Sequence, residues 1–224
     1  MVKRALIEHR PWLLLSVVAA IAFYFLHDNP IGGVWLMLLK GTGVGLLAVY
    51  ALRRTRGLIG PDGLILALVM ALSSAADMAL EINFVAGGAL FAASHLAAIA
   101  LYMRNRRDRT VWSQRMLALG LVIVVPLVSY FLSGQVEVAI YAITLGLMAA
   151  AAWTSRFPRY RVGIGAVLFV ISDWLIFSRM GSVDLGVLPD LLVWPLYYAG
   201  QLMIATGVVQ TLLWDAGQGA RPER

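Results

Sequence analysis

The chain has 224 residues, of which 61% are hydrophobic and only 13% charged, and its mean hydropathy is +0.82. Soluble domains carry about 45–50% apolar and about 25% charged residues, so this composition excludes a soluble enzyme, a disordered chain and a nucleic-acid-binding module despite a formal net charge of +6. The lack of any cysteine further excludes a disulfide framework, thiol catalysis and Cys-based zinc or iron–sulfur sites.

A membrane-spanning helix needs about 20 apolar residues. Charged and Gly/Pro punctuation cuts the chain into eight such segments, at 11–26, 32–52, 60–80, 84–103, 116–132, 136–154, 162–179 and 188–214. The predicted fold is therefore all-α: a single transmembrane domain over residues 1–224, built as a bundle of eight helices joined by short loops. The first segment follows a basic start and carries small residues, as a signal peptide does; it is expected to stay as an uncleaved span. A short polar tail follows the last span.

Basic residues test that cut. Lys3, Arg4 and Arg10 precede the first span, and Arg53, Arg54 and Arg56 follow the second. Arg104, Arg106, Arg107, Arg109 and Arg115 follow the fourth, Arg156, Arg159 and Arg161 the sixth, and Arg221 and Arg224 the eighth. Sixteen of the 18 basic residues thus fall on one side, against Arg179 alone on the other. The positive-inside bias makes the rich side cytoplasmic. Both termini are expected there, in a multi-pass protein of the cell membrane (the inner membrane in a bacterium). The arginine runs read as cytoplasmic anchors.

The remaining basic residue, Lys40, stands inside the second span. A charge at the bilayer centre costs about 2.5–3.5 kcal/mol on insertion scales, so such groups face the bundle interior and find partners. Asp77 on the third span and Asp173 on the seventh are the partners the apolar segments offer. At 1.5 Å per residue, these three groups, with His95, Tyr197, Tyr198 and Gln201, fall in a slab between the outer interface and the midplane. A shared polar cavity is the expectation. Helical spacing groups its walls: Ser73, Ser74, Asp77 and Glu81 share a stripe of the third span; Gly88, Phe91, His95 and Tyr102 share a face of the fourth. Gly41, Gly43 and Gly45 around Lys40 permit close helix approach. Glu81, at the interface, reads as simply solvated.

No nucleophile elbow, His-Glu-x-x-His pair or phosphate loop occurs. With three histidines, of which His9 and His27 sit at span edges, the chain holds no recognisable zinc cage, and no cofactor is implied. What remains is two buried carboxyls on different helices, a lysine, a histidine and phenols. Two carboxyls in different environments are the usual apparatus of metal-free acid–base hydrolysis. The same inventory suits a proton-coupled transporter, and ISDWLIF on the seventh span echoes AADMAL on the third, as internal repeats of transporters do. A lipid-binding membrane protein is a further alternative.

Four stretches resemble the YhhN-like lysoplasmalogenase family of integral membrane proteins: Leu38–Tyr50 (LLKGTGVGLLAVY), Ala71–Tyr102, Gly165–Phe177 (GAVLFVISDWLIF) and Tyr197–Gly207 (YYAGQLMIATG). The last two are the specific ones. Gly41 stands where the family usually has Pro after the lysine, and Ala76 where it commonly has Gly before the first Asp; neither change removes a functional group. The resemblance implies a hydrolase that opens the vinyl ether of a lysoplasmalogen to a fatty aldehyde and a glycerophospho-ethanolamine or -choline. Such ethers hydrolyse by protonation at the β-carbon, which demands one proton donor and one carboxylate to stabilise the oxocarbenium ion and activate water. Asp77 and Asp173 are expected to share those catalytic roles. Lys40, His95, Tyr197, Tyr198, Gln201, Ser74 and Ser172 are expected to bind substrate, a lysophospholipid that enters from the membrane.

Overall fold

A computed structural model describes residues 10–27 and 32–219. Lys3, Arg4, His9, Arg221 and Arg224, used above for sidedness and for the histidine count, lie outside the described residues. Eight α-helices run in order: α1 (Arg10–Leu26), α2 (Val34–Thr55), α3 (Asp62–Leu80), α4 (Phe84–Arg104), α5 (Trp112–Ser133), α6 (Val136–Thr154), α7 (Ile164–Ser178) and α8 (Leu188–Gly219). A π-helical turn, Arg159–Gly163, leads into α7. No strand occurs among the described residues, in agreement with the all-α expectation. Seven stretches, six of them these helices from α2 on and one the π-turn with α7, are long and apolar enough to cross a membrane. Helix α1, with 17 residues, is shorter. The chain is a multi-pass membrane protein.

By proximity the chain forms two compact units, one running to Ser94 and resuming at Ala205, the other His95–Ile204. Helices α4 and α8 each begin in one unit and end in the other.

In the first unit, α2 and α3 pack antiparallel because two glycines remove the side chains that would hold them apart. A Cβ on Gly41 would meet Met78 Cγ at 2.6 Å and the Ser74 carbonyl oxygen at 3.2 Å, and one on Gly45 would meet Ser74 Oγ at 3.0 Å. The spacing Gly41-x-x-x-Gly45 is the small-residue motif of membrane helix pairs. Gly43 faces the other way, where its carbonyl accepts the Ser16 hydroxyl from α1 at 2.5 Å. At the far end of the pair, Gly63 abuts Thr55, whose Oγ1 would lie 2.0 Å from an added Cβ. Arg53 and Arg54 occupy the last turn of α2, where the negative end of the helix dipole favours cations.

In the second unit α7 crosses α8 closely. A Cβ on Gly165 would lie 2.7 Å from the Gly200 carbonyl oxygen, and one on Gly200 would lie 2.6 Å from that of Gly165. The two helices touch backbone to backbone there. Helix α5 presses on α6 at Gly146, where an added Cβ would meet the Leu121 carbonyl at 2.8 Å. Pro126 interrupts the α5 hydrogen-bond ladder, and Gly134 at φ 68° closes that helix in the left-handed conformation. The ends of α4 and α6 are stitched together by an isolated antiparallel bridge between Arg106 and Ser155. Beside it the Arg156 side chain donates to Asn105 Oδ1 at 2.7 Å.

Candidate functional site

The polar stripe of α3 lies inward in the first unit. Ser73, Ser74 and Asp77 are all buried, Asp77 with 2% of its surface exposed. The Ser73 and Ser94 hydroxyls bond at 2.8 Å, tying α3 to α4, and the Ser74 hydroxyl donates to the Gly41 carbonyl at 2.6 Å. Ser74, assigned above to substrate, is therefore a tie between α3 and α2 at their closest approach.

Lys40 ends elsewhere than sequence reasoning placed it. Its ammonium pairs with Glu81, not with an aspartate, at 2.6 Å, and lies 5.7 Å from the centre of the Phe23 ring. Glu81 is thus an ion-pair partner and not simply a solvated acid. The physical reason is reach. Lys40 stands about two turns from the start of α2, and its long side chain extends along the helix to the boundary, where α3 ends and Glu81 caps it.

Asp173 belongs to the second unit, on α7, with 6% of its surface exposed. Its Oδ2 accepts the hydroxyl of Tyr141, from α6, at 2.8 Å. Phe169 and Phe177 stand one turn to either side of Asp173 on the same face of α7. Rings fill the surroundings: His95 packs on Tyr141 and Phe169 with centroids 5.5 and 5.1 Å apart. Tyr141 also packs edge-on against Phe177. Phe169 meets Tyr197 at 5.1 Å, and Trp194 stacks on Tyr198 and meets Tyr197 at a tilt. An acid held among rings has few polar neighbours to solvate it, so the Tyr141 hydroxyl matters more than it would in water.

The histidine is fixed by a short relay. Thr144 Oγ1 donates to the Tyr141 carbonyl at 2.7 Å, which leaves that oxygen to accept from His95 Nδ1 at 3.3 Å. With its one hydroxyl hydrogen already placed, the Thr144 oxygen accepts from a proton on the imidazole Nδ1. Gln201 is buried and its amide approaches the Tyr197 hydroxyl at 3.4 Å, one turn earlier on α8. Ser172, also assigned to substrate above, donates to the Val193 carbonyl at 2.9 Å and fastens α7 to α8.

Within the second unit the predicted residues His95, Asp173, Tyr197, Tyr198 and Gln201 therefore gather around one aromatic interior. Sequence reasoning missed Tyr141 and Thr144. Their only signal is polarity three residues apart on one face of α6, and a tyrosine five residues into a span is indistinguishable by position from an interfacial belt residue.

Comparison with known proteins gives the frame for these groups. No curated protein and no solved structure matches the chain. The model of one family does, over residues 35–208. That stretch opens at the head of α2 and closes well inside α8. It takes in both mutually facing glycines, Gly165 and Gly200, as well as each candidate residue discussed above. On that match the chain belongs to the YhhN family.

Proposed function

We propose that the protein is an intramembrane hydrolase of the cell membrane, with both termini cytoplasmic, that cleaves the vinyl ether of lysoplasmalogens. The products are a fatty aldehyde and glycerophospho-ethanolamine or -choline. Family membership supports the reaction class, and the observation that carries the chemistry is the Tyr141–Asp173 hydrogen bond inside an aromatic interior.

The reaction needs a proton for the β-carbon of the ether double bond and a base for water. Among the described residues Asp77 and Asp173 are the two buried carboxylic acids, and the reading assigns them these two roles. Protonation of the β-carbon turns the alkenyl carbon on the ether oxygen into an oxocarbenium ion. A carboxylate stabilises that cation and accepts a proton from the water that attacks it. The resulting hemiacetal loses its hydroxyl proton, returns a proton to the glycerol oxygen and breaks the carbon–oxygen bond. One water is consumed, and each carboxyl returns to its starting state.

Tyr141 holds one oxygen of Asp173 and leaves the other to act. The rings of Phe169, Phe177 and Tyr197 surround the reacting cation with π-faces, and Gln201 and Tyr198 orient water or the glycerol hydroxyl. His95, held by Thr144, positions Tyr141 through ring contact. The test is to incubate purified protein with alkenyl and acyl lysolipids and follow both products. Aldehyde from the alkenyl lipid alone supports the reading. Fatty acid release, or uptake into proteoliposomes with no turnover, removes it and favours an acyl hydrolase or a carrier.

A further inference from the structure

The Lys40–Glu81 pair is built in a way that helix packing does not require. The register of α2 on α3 is already set by Gly41 and Gly45 against Met78 and Ser74 and by the Ser74 hydroxyl on the Gly41 carbonyl. Glu81 is also at an unfavourable place for an acid. It caps the C-terminal end of α3, where unpaired carbonyls already carry partial negative charge, and no basic residue stands in the last turn of that helix. Two sources of negative potential therefore coincide at one point, half open to its surroundings: the Glu81 side chain is 45% exposed and that of Lys40 16%. Ile82, Val85 and Trp35, all largely exposed, give this end of the helices an apolar flank.

We infer that Lys40 and Glu81 form a clamp for a zwitterionic phospholipid headgroup, Lys40 taking the phosphate and Glu81, with the carbonyl end of α3, taking the ammonium of ethanolamine or choline. The inference rests on the lysolipid reading above, which already carries an ethanolamine or choline headgroup, and adds to it the role of Glu81, paired with Lys40, in selecting that headgroup. Opening the pair to admit a zwitterion exchanges one internal ion pair for two across the interface, and both partners are neutral overall. A headgroup that has the phosphate but no cation satisfies Lys40 and leaves Glu81 facing nothing but like charge. That mismatch is a penalty against anionic lysolipids. The Phe23 ring beside Lys40 adds a face suited to a quaternary ammonium.

The test is equilibrium binding, because it reads the clamp without turnover. Full-length protein in maltoside micelles is titrated with two saturated ether lysolipids, which lack the vinyl bond: alkyl-lysophosphocholine and alkyl-lysophosphoglycerol. Wild type is expected to prefer the choline lipid by about tenfold or more, the scale of one specific charge contact. Glu81→Gln is expected to lose that preference by weakening the choline lipid alone, whereas Lys40→Gln weakens both. The exchanged variant Lys40→Glu with Glu81→Lys retains an ion pair, and so the fold, but is expected to lose the preference because the phosphate is tethered nearer the tail than the ammonium is.

Unchanged preference in Glu81→Gln, or in the exchanged variant, overturns the clamp. So does equal binding of the two lipids by wild type. If the preference is present but no aldehyde is ever released from alkenyl lipids, the hydrolase reading fails and the clamp stands. If aldehyde is released while both headgroups bind equally, the clamp alone fails.

Discussion

The hydroxyl of Tyr141 on α6 donates to Oδ2 of Asp173 on α7 at 2.8 Å, and the same phenol ring packs against His95 and Phe177. Among the described residues this contact gives the buried acid its one polar side-chain partner. Tyr141→Phe preserves the ring packing and deletes only the donor. It should lower kcat for aldehyde release by roughly 10–100-fold, the rate equivalent of a hydrogen bond to a charged group of about 1.5–3 kcal/mol, while the thermal unfolding midpoint in detergent stays close to wild type. Equal kcat in the variant would make Tyr141 a packing residue.

Asp173→Asn and Asp77→Asn should each abolish aldehyde release, by about 10²–10⁴-fold or more, with helicity by circular dichroism unchanged. Asn is isosteric and keeps a hydrogen-bond acceptor, so Asp173→Asn retains the Tyr141 bond. The loss is therefore chemical and not structural. Full activity in either variant breaks the assignment of that acid.

Much of this fold is legible in the chain itself. The eight helices follow the apolar runs because a membrane span must satisfy its own backbone, and their boundaries move by only a few residues: α2 extends to Thr55 and α8 to Gly219. Gly41 and Gly45 announce their close crossing by spacing alone. Gly165 and Gly200 do not, because the sequence shows two isolated glycines in two motifs and nothing that says they meet face to face. Lys40 pairs with Glu81 and not with an aspartate, which the sequence does not reveal because depth counted from Cα ignores a side chain long enough to run back along its helix. Tyr141 is illegible for the opposite reason: a tyrosine near a span end has an ordinary explanation, and only a helix–helix contact reveals the other one.

The backbone contact of Gly165 with Gly200 makes the second unit sensitive to single methyl groups. Gly165→Ala and Gly200→Ala should each lower stability by about 1–3 kcal/mol, the usual scale for overpacking a tight interface, because the clashing atom in each case is a carbonyl oxygen that cannot rotate away. Gly88→Ala, where an added Cβ meets nothing within 4 Å, is the control and should leave the unfolding midpoint unchanged. Thermal unfolding in a fixed detergent reads the difference.

Lys40 and Glu81 should also show coupling in stability. Lys40→Met and Glu81→Gln each leave one charge without its partner near the membrane boundary, so each single variant should be less stable than wild type. The double variant should recover part of the loss, giving a non-additive cycle. Strict additivity would mean that the pair contributes nothing to the fold.

The central claim is that a carboxyl of this protein protonates the β-carbon of a vinyl ether. Turnover of an alkenyl lysolipid in D₂O, with the aldehyde trapped at once as its alcohol and weighed by mass spectrometry, tests it most directly. The account predicts a product carrying one deuterium on the carbon next to the former carbonyl, formed by wild type and not by Asp173→Asn. An aldehyde with no deuterium at that carbon, or the same labelled product at the same rate from Asp173→Asn, would contradict it.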